Sequence, residues 1–214
     1  MSNCGISANI YHSTRFLIAV WREINSLVCL VKKHIEDEFD KFDGVKVTKE
    51  WDDCFRIDDD DWVYTDSCVF LGVGKRNGKA NKYINIQISL YGDGMRSGLD
   101  DNEEPLLHVS FRDDATDYED GVYFSIADLD DAEVSLEENV LFNWGQIGCE
   151  WNKQEWTFSL KLTSINSIED INSKIVKPLS ALISGADIEK AGLKMIQGIV
   201  HYEKADEGSF YVSN

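Results

Sequence analysis

Two runs of carboxylates are the residues of this chain best suited to chemistry. One is "RIDDDDW", residues 56–62, in which four aspartates stand in a row. The other is "RDDATDYEDGVYF", residues 112–124, which holds five acids. Carboxylates can bind hard metal ions, attract basic protein surfaces or keep a surface hydrated. The two runs therefore raise three interpretations: a metal site, a charged binding surface and a solvated loop.

The spacing of the first run argues against a metal site. Consecutive side chains of an extended chain point to alternate sides, so at most two of Asp58–Asp61 would face one ion. Neither run has the alternating acids, the glycine and the final glutamate of a calcium-binding EF-hand loop. A two-metal phosphoesterase could still gather carboxylates from separate loops. The candidates for such a site are Asp58, Asp93, Asp113 and Asp117.

We therefore assign no metal ligand and no cofactor from the sequence. A divalent-metal-dependent phosphoesterase or nuclease-like enzyme, which would use loop carboxylates, stays as an alternative.

Other catalytic patterns fail on spacing or context. Glu150 and Lys153 are separated by two residues, whereas the Glu-x-Lys pattern of one nuclease type has a single residue between them. His108 lies near Ser110 on a predicted strand, an arrangement that is coincidental more often than catalytic. "GVGKRNGKAN", residues 72–81, lacks the spacing of a phosphate-binding loop and joins two strands. The sequence predicts no catalytic residue and favours a non-catalytic protein.

The net charge of −18 is concentrated in two segments. Residues 36–66 carry thirteen acids and four bases, and residues 93–138 carry sixteen acids and two bases. A chain this acidic repels nucleic acid and anionic membrane surfaces. We therefore expect a basic protein surface as its partner, and no direct contact with nucleic acid or membrane.

Cysteine spacing and apolar runs predict a reduced, cytoplasmic protein. The five cysteines are odd in number and no two are spaced C-x-x-C, which supports neither a disulfide framework nor a zinc site. The longest apolar stretch, residues 16–31, is interrupted by Arg22, Glu23 and Asn25, so it is unsuited to crossing a bilayer. No small-residue cleavage site follows it, as a signal peptide would require.

The elements that must position these residues begin with a helix over residues 14–40. Its apolar residues recur at steps of three and four, which places them in one apolar stripe along the helix. Leu17, Ile18 and Trp21 widen the stripe, so we expect the first half to be buried on more than one side. The second half turns acidic at Glu36, and we expect it to leave the core.

From residue 62 onward the apolar period changes to two, which is typical of strands. Residues 68–91 predict a hairpin around Asn77 and Gly78, because both residues tolerate a positive φ. Further strands are predicted over 107–111, 122–126 and 156–162 and within 139–151. Their one-sided alternation predicts a sheet with one packed face and one solvent-exposed face.

Helical periodicity returns near the C-terminal end. Ser167 caps a predicted helix that Pro178 kinks or divides. Another helix is predicted over 187–197 with Met195 facing inward, and a frayed polar tail follows from residue 204.

The order of helix, strands and helices predicts a single α+β domain over residues 1–214. We expect an antiparallel sheet of about five or six strands, with one face covered by the long N-terminal helix and the C-terminal helices.

The exposed face of the predicted sheet and its acidic loops are the candidate binding surface. Tyrosines among small polar side chains suit protein contact, because they bury area at low entropic cost. The predicted partner-binding residues are Asp58, Asp59, Asp60, Asp61, Asp113, Asp114, Asp117, Glu119, Asp120, Tyr83, Tyr91 and Tyr123. An ordinary solvated sheet face is the alternative interpretation.

In size and charge the chain resembles acidic inhibitors that occupy nucleic-acid-binding clefts, such as anti-restriction, anti-CRISPR and nuclease-immunity proteins. The resemblance is one of character, since no motif carries it and no residue can be matched. It implies an acidic protein that binds and inhibits a basic, nucleic-acid-binding partner, as a nucleic-acid mimic. A structural subunit of a larger complex is a further alternative, with the oligomeric state left open.

Overall fold

The computed structural model describes most of the chain. The described residues are 4–39, 41, 45–48, 50–56, 64–75, 79–90, 104–126, 129, 134–146, 148–205 and 208–213, with side chains described from residue 9 onward. Asp58–Asp61 and Tyr91 lie outside the described residues, so their role in partner binding stays a prediction.

Helix α1 (Cys4–Phe39) is 36 residues long, and its second half is the buried one. Val31 is fully buried in the core, whereas residues 9–19 are exposed throughout. The predicted burial of the two halves is therefore wrong. Glu36 and Asp37 are exposed because they occupy the outer face of the helix, while the apolar stripe continues on the inner face.

Eight of the described strands form one sheet in which every pairing is antiparallel. They are β1 (Lys46–Val47), β2 (Asp52–Arg56), β3 (Asp66–Gly74), β4 (Lys82–Ser89), β5 (Leu106–Arg112), β6 (Ser135–Glu137), β7 (Leu141–Asn143) and β8 (Trp156–Lys161). Their order is β1-β3-β4-β5-β8-β7-β6, and β2 also pairs with β3.

The predicted hairpin is confirmed as β3–β4, with Val73 opposite Lys82. The strand predicted over 122–126 is wrong. Only Val122 pairs there, in an isolated bridge to Asp117.

One face of the sheet packs on helices. Ile86 and Val109 are cross-strand neighbours on this face, and they share a core with Val31 of α1 and Ile175 of the C-terminal helical segment. Alternating apolar residues on four strands therefore meet apolar helix stripes, as the period of two predicts.

The opposite face of the sheet was expected to be solvent-exposed, and that expectation is wrong. Seven polar residues of this face are at most 2% exposed: Asn85, Gln87, Ser89, His108, Ser110, Thr157 and Ser159. Residues 113–126 cross this face and hydrogen-bond to it. Beside them lies a second apolar cluster that includes Phe124, Phe142 and Tyr202.

The C-terminal helical segment starts where the sequence predicts. Ser167 is the N-cap, and its Oγ accepts a hydrogen bond from the Asp170 N–H at 3.1 Å. The segment consists of α2 (Ile168–Asp170), a π-helical stretch (Ile171–Val176) and α3 (Lys177–Ile183). Pro178 follows the π-helical stretch, which confirms the predicted irregularity, because proline lacks the N–H of a regular turn.

The last predicted helix is shorter than expected. Helix α4 (Ile188–Ala191) ends at Gly192, whose φ of 71° lies in the left-handed region. Met195, expected to face inward, is 89% exposed. The α+β class is nevertheless confirmed, with eight strands where about five or six were expected.

The chain ends in a hairpin where a frayed tail was expected. Strands β9 (His201–Lys204) and β10 (Phe210–Ser213) pair antiparallel. Phe210 is buried against Phe142, with ring centroids 5.1 Å apart. Among the described helices, none combines the length and the hydrophobicity needed to cross a bilayer.

Candidate functional site

The second acidic run lies on the segment that crosses the polar face of the sheet. Two amide side chains of β4 fasten its backbone from below. The Gln87 side chain donates to the Phe124 carbonyl at 2.9 Å and accepts from the Phe124 N–H at 3.1 Å. The Asn85 side chain accepts from the Thr116 N–H at 2.9 Å and donates to the Asp114 carbonyl at 3.3 Å. These buried bonds hold the segment in one placement.

Between these two attachments the chain makes a tight turn. Asp117 and Val122 exchange two backbone hydrogen bonds of 2.7 Å. The Asp117 carboxylate accepts from the Glu119 N–H at 3.0 Å and from the Asp120 N–H at 3.3 Å. Gly121 has a φ of 73°, which suits a residue without a Cβ. The turn is therefore built by its own residues and presents its acids outward.

The predicted acids of this run all reach solvent. The Asp113 side chain is 62% exposed and pairs with the buried Lys82 ammonium. Asp114, Glu119 and Asp120 are exposed, and none of them forms an ion pair within the described part of the chain. The name "acidic turn" is used below for residues 113–122. Its surface carries uncompensated negative charge on a backbone fixed from below.

The two acidic segments of the sequence meet near Cys54. A hydrogen bond with Cys68 lowers the pKa of the Cys54 thiol, while burial and the carboxylates of Asp117 and Asp53 act to raise it. Asp53 belongs to the first acidic segment and Asp117 to the second. The Cys54 thiol also donates to the Thr116 carbonyl at 3.4 Å, so β2 of the first acidic segment contacts the second acidic segment here.

An ion pair between β2 and β3 lies beside this contact. Arg56 Nε is 3.1 Å from a carboxylate oxygen of Asp66, which is 1% exposed. The Arg56 guanidinium also lies over the Tyr123 ring, 5.0 Å from its centroid. Thr65 Oγ1 donates to the same Asp66 oxygen at 3.0 Å. The pair anchors β2 to β3 beside the acidic turn.

The predicted tyrosines are only partly available for contact. Tyr123 is half-buried and packs on Tyr118, with centroids 5.4 Å apart. Tyr83 is half-buried against Phe70 at 6.3 Å. Burial raises the pKa of Tyr118 far above its ordinary value, so this phenol stays neutral. The exposed side chains of this surface are therefore acids, whereas its aromatic rings are partly buried.

The buried histidine lacks the features of a catalytic base. His108 is fully buried, and its Nδ1 lies 2.6 Å from Ser159 Oγ rather than bonding Ser110. Ser110 instead accepts from the Thr157 hydroxyl at 2.8 Å. Burial lowers the pKa of His108 to about 3. In either tautomer its Nε2 has no partner within the described residues, and no solvent reaches the pair.

The carboxylates predicted as a two-metal site are not assembled within the described residues. No group of three or more His, Cys, Asp or Glu there could hold a metal ion. Asp113 instead binds Lys82, and the Asp117 carboxylate accepts from the backbone N–H groups of Glu119 and Asp120. Asp58 and Asp93 lie outside the described residues.

A groove of 790 Å³ lies elsewhere, between the β6–β7 turn and helix α4. It is also lined by carboxylates, but Glu138 pairs with Lys194 and Asp187 pairs with Lys190. Its charge is therefore partly neutralised, in contrast to that of the acidic turn.

Sequence reasoning missed the residues that hold the acidic turn in place. Asn85 and Gln87 occur at alternate positions of a central strand, where small polar or charged residues are ordinary on a wet face. Amides with both a donor and an acceptor are the side chains that can pair with a crossing backbone. Two such amides in the middle of one strand are the only signal that this face is covered.

No protein-family model matches this chain, and neither a curated protein nor a solved structure shows significant similarity to it.

Proposed function

We propose that this chain is a non-catalytic interaction protein whose acidic turn binds and blocks the basic surface of a nucleic-acid-binding protein. The partner would supply lysines and arginines that ordinarily contact phosphates, so the chain would act as a nucleic-acid mimic.

The preorganisation of the acidic turn carries this proposal. Its backbone is tied down through Asn85 and Gln87, while Asp114, Glu119 and Asp120 are exposed and have no ion-pair partner among the described residues. A fixed array of carboxylates loses little conformational entropy on binding. It also steers a basic partner toward it, so the association rate should fall with salt.

A pair of charge-matched variants tests the proposal. The first neutralises the acidic turn, D114N/D117N/E119Q/D120N. The second removes the same charge from exposed acids elsewhere, E36Q/D37N/E150Q/E189Q. Each chain is used to capture proteins from the native host, and the captured proteins are identified by mass spectrometry. We expect a basic, nucleic-acid-binding protein that the wild type and the second variant retain and the first variant loses.

The captured protein is then purified and its association rate is measured against salt. We expect the rate to fall at least about tenfold from low to high salt, because long-range steering is screened. Equal binding by both variants would show that diffuse charge rather than the acidic turn is responsible. A rate that does not change with salt would also contradict the proposal.

A second candidate function, self-association, is favoured by helix α1. Ile10, Leu17, Ile24 and Val31 recur at every seventh position, and thus lie on one face of the helix. Ile24 and Val31 are buried in the core, whereas Ile10 is 63% and Leu17 is 37% exposed. The apolar stripe thus continues beyond the part that this chain covers, and Phe16 and Ile18 widen its exposed end.

The occupant that fits this stripe is a second copy of the chain. Residues 4–22 carry Arg15 and Arg22 and no carboxylate, while residues 36–214 carry 38 acids against 17 bases. In sequence, the first half of α1 is therefore apolar and basic, and the body of another copy is acidic. Complementary charge directs the helix of one copy to the body of the other.

Mass in solution tests self-association. We expect concentrated protein to have at least about twice the mass of the 24.3 kDa chain. Leu17→Asp should return it to the monomer, because a carboxylate enters the apolar stripe. Ser26→Asp adds the same charge at an exposed position of α1 outside the stripe and should leave the larger species intact. A monomer at every concentration would overturn this candidate.

A further inference from the structure

Cys54 and Cys68 face each other across two paired strands. Cys54 of β2 is the direct partner of Cys68 of β3 in the register. Directly opposed residues in antiparallel strands have Cα atoms about 4.5 or 5.5 Å apart, and a disulfide accommodates about 4.4–6.8 Å. Because the two residues are direct partners in the register, both side chains lie on the same face of the sheet.

The two thiols are chemically unequal. Cys54 is half-buried, and the hydrogen bond from Cys68 lowers its pKa, which favours its thiolate. Cys68 is 1% exposed, and burial raises its pKa well above the ordinary value. The accessible Cys54 thiol is thus the better nucleophile. The buried Cys68 thiol is placed to attack a sulfenic acid that forms on Cys54.

The pair also touches the acidic turn. The Cys54 thiol donates to the Thr116 carbonyl at 3.4 Å. Thr116 is the residue whose N–H and hydroxyl bond to the Asn85 side chain. A change at Cys54 therefore acts on the same residue that fastens the acidic turn to the sheet.

We propose that Cys54 and Cys68 are a redox-modification site, in which hydrogen peroxide converts the two thiols to a cross-strand disulfide and thereby loosens the acidic turn. The effect on partner binding rests on the proposed function of that turn. Formation of the disulfide does not.

The chemistry balances in two steps. The Cys54 thiolate attacks the peroxide oxygen, the O–O bond breaks, and a sulfenic acid forms while hydroxide leaves and takes a proton to become water. The Cys68 sulfur then attacks the Cys54 sulfur, the S–O bond breaks, and the hydroxide lost from Cys54 leaves as water with the Cys68 proton. Two sulfurs lose one electron each, and the peroxide gains both.

Peptide mapping of the wild-type protein tests the disulfide without any variant. The folded protein is treated with hydrogen peroxide, alkylated under denaturing conditions and digested with trypsin. Cleavage after Lys49, Arg56 and Lys75 puts the two cysteines on separate peptides, 50–56 and 57–75. We expect these peptides joined, with a mass two hydrogens below their sum, and separated again by a thiol reductant.

Two variants serve as controls. Cys29→Ser removes an exposed thiol on α1 and should leave the joined peptides unchanged. Cys54→Ser should abolish them and leave Cys68 as an alkylatable thiol, because the buried sulfur lacks its accessible partner. Peroxide treatment that ends with Cys54 as a sulfinic acid, or with both thiols still free, would overturn the disulfide.

Amide hydrogen exchange tests the loosening. Oxidation removes the thiol hydrogen bond to Thr116, so amides of residues 113–122 should exchange about two- to tenfold faster, while those of β5 should not change. Unchanged exchange in the acidic turn of the disulfide form would overturn the coupling. Neither measurement involves a partner, so both can fail or succeed independently of the proposed function.

Discussion

The two faces of the sheet are equally buried and are stabilised in different ways. On the helix side, Ile86 and Phe158 are at most 1% exposed and pack in an apolar core. On the opposite side, Gln87 and His108 are equally inaccessible and bond to backbone or to a hydroxyl. Apolar contact is non-directional, whereas a hydrogen bond fixes distance and angle. The helix side therefore contributes most of the stability, and the polar side fixes the position of the crossing segment, residues 113–126.

This difference bears directly on the acidic turn. A segment lying on an apolar face could shift by a residue and still bury similar area, whereas a backbone paired to amide side chains would leave them unsatisfied on shifting. The buried polar face thus determines where Asp114, Glu119 and Asp120 stand in space.

The largest effect is expected on the helix side. Phe158→Ala should lower the free energy of unfolding by about 3–5 kcal/mol, because it leaves a cavity beside the stacked Trp156 ring. Denaturant unfolding measures this, with Phe55→Ala, a 44% exposed phenylalanine, as the control expected to cost at most about 1 kcal/mol. Similar losses in both variants would contradict the assignment of the main core to the helix side.

The next effect is expected on the polar side. Gln87→Leu removes both partners of the Phe124 backbone and should cost about 2–3 kcal/mol, because a buried N–H and a buried carbonyl lose their hydrogen bonds. Amide exchange should rise over residues 113–126 and stay low in β4. The exposed Gln146→Leu is the matched control. If amide exchange rose equally across the chain, the Gln87 side chain would contribute to stability without fixing the position of residues 113–126.

The free energy of unfolding should depend on pH through His108, which lies on the polar face. Burial lowers the pKa of His108 to about 3 in the folded protein, while an unfolded histidine titrates near about 6.5. As the pH falls, the unfolded state therefore binds a proton at a higher pH than the folded state does. The free energy of unfolding decreases as the pH drops below about 6.5 toward 3. Between pH 7 and pH 5 the loss from this residue is about 2 kcal/mol.

Denaturant unfolding at several pH values measures this loss as the difference between wild type and His108→Gln. The exposed His201→Gln should retain the wild-type slope. Titration of the His108 ring by NMR in the wild-type protein gives a second measurement, and protonation of the folded state near pH 6 would contradict the buried, neutral ring.

The smallest effect is expected on the outer surface of the acidic turn. Asp120→Asn should change the free energy of unfolding by less than about 0.5 kcal/mol, because the side chain is exposed and unpaired among the described residues. Thermal unfolding measures it, with Asp66→Asn as the contrasting variant, since that carboxylate is buried and bonded to Arg56. A large loss in Asp120→Asn would mean that the acids maintain the fold instead of serving recognition.

The elements with strong periodicity could be predicted from sequence. The β3–β4 hairpin follows from alternating Val69, Leu71 and Val73 facing alternating isoleucines. The Ser167 cap and the irregularity before Pro178 follow from local chemistry that needs no tertiary contact. Short strands such as β1 and β9 carry too few residues for a period to be recognised.

Burial was harder to predict than the elements themselves. The apolar stripe of α1 is continuous in sequence, and its periodicity is the same in the covered and the uncovered half. Likewise, Asn85 and Gln87 look the same in sequence whether water or a crossing segment pairs with them. Period identifies a face, but only the neighbouring elements decide what covers that face.

The sequence by itself determined the long N-terminal helix, the start of the C-terminal helical segment, the main strands, the α+β class and the concentration of charge in two segments, because these depend on local propensity, periodicity and composition. The tertiary structure alone decided that the polar face is closed, that the described parts of the two acidic segments meet at Cys54, and that this thiol faces Cys68. Those facts depend on which residues distant in sequence come together, through hydrogen bonds and strand register that no local pattern records.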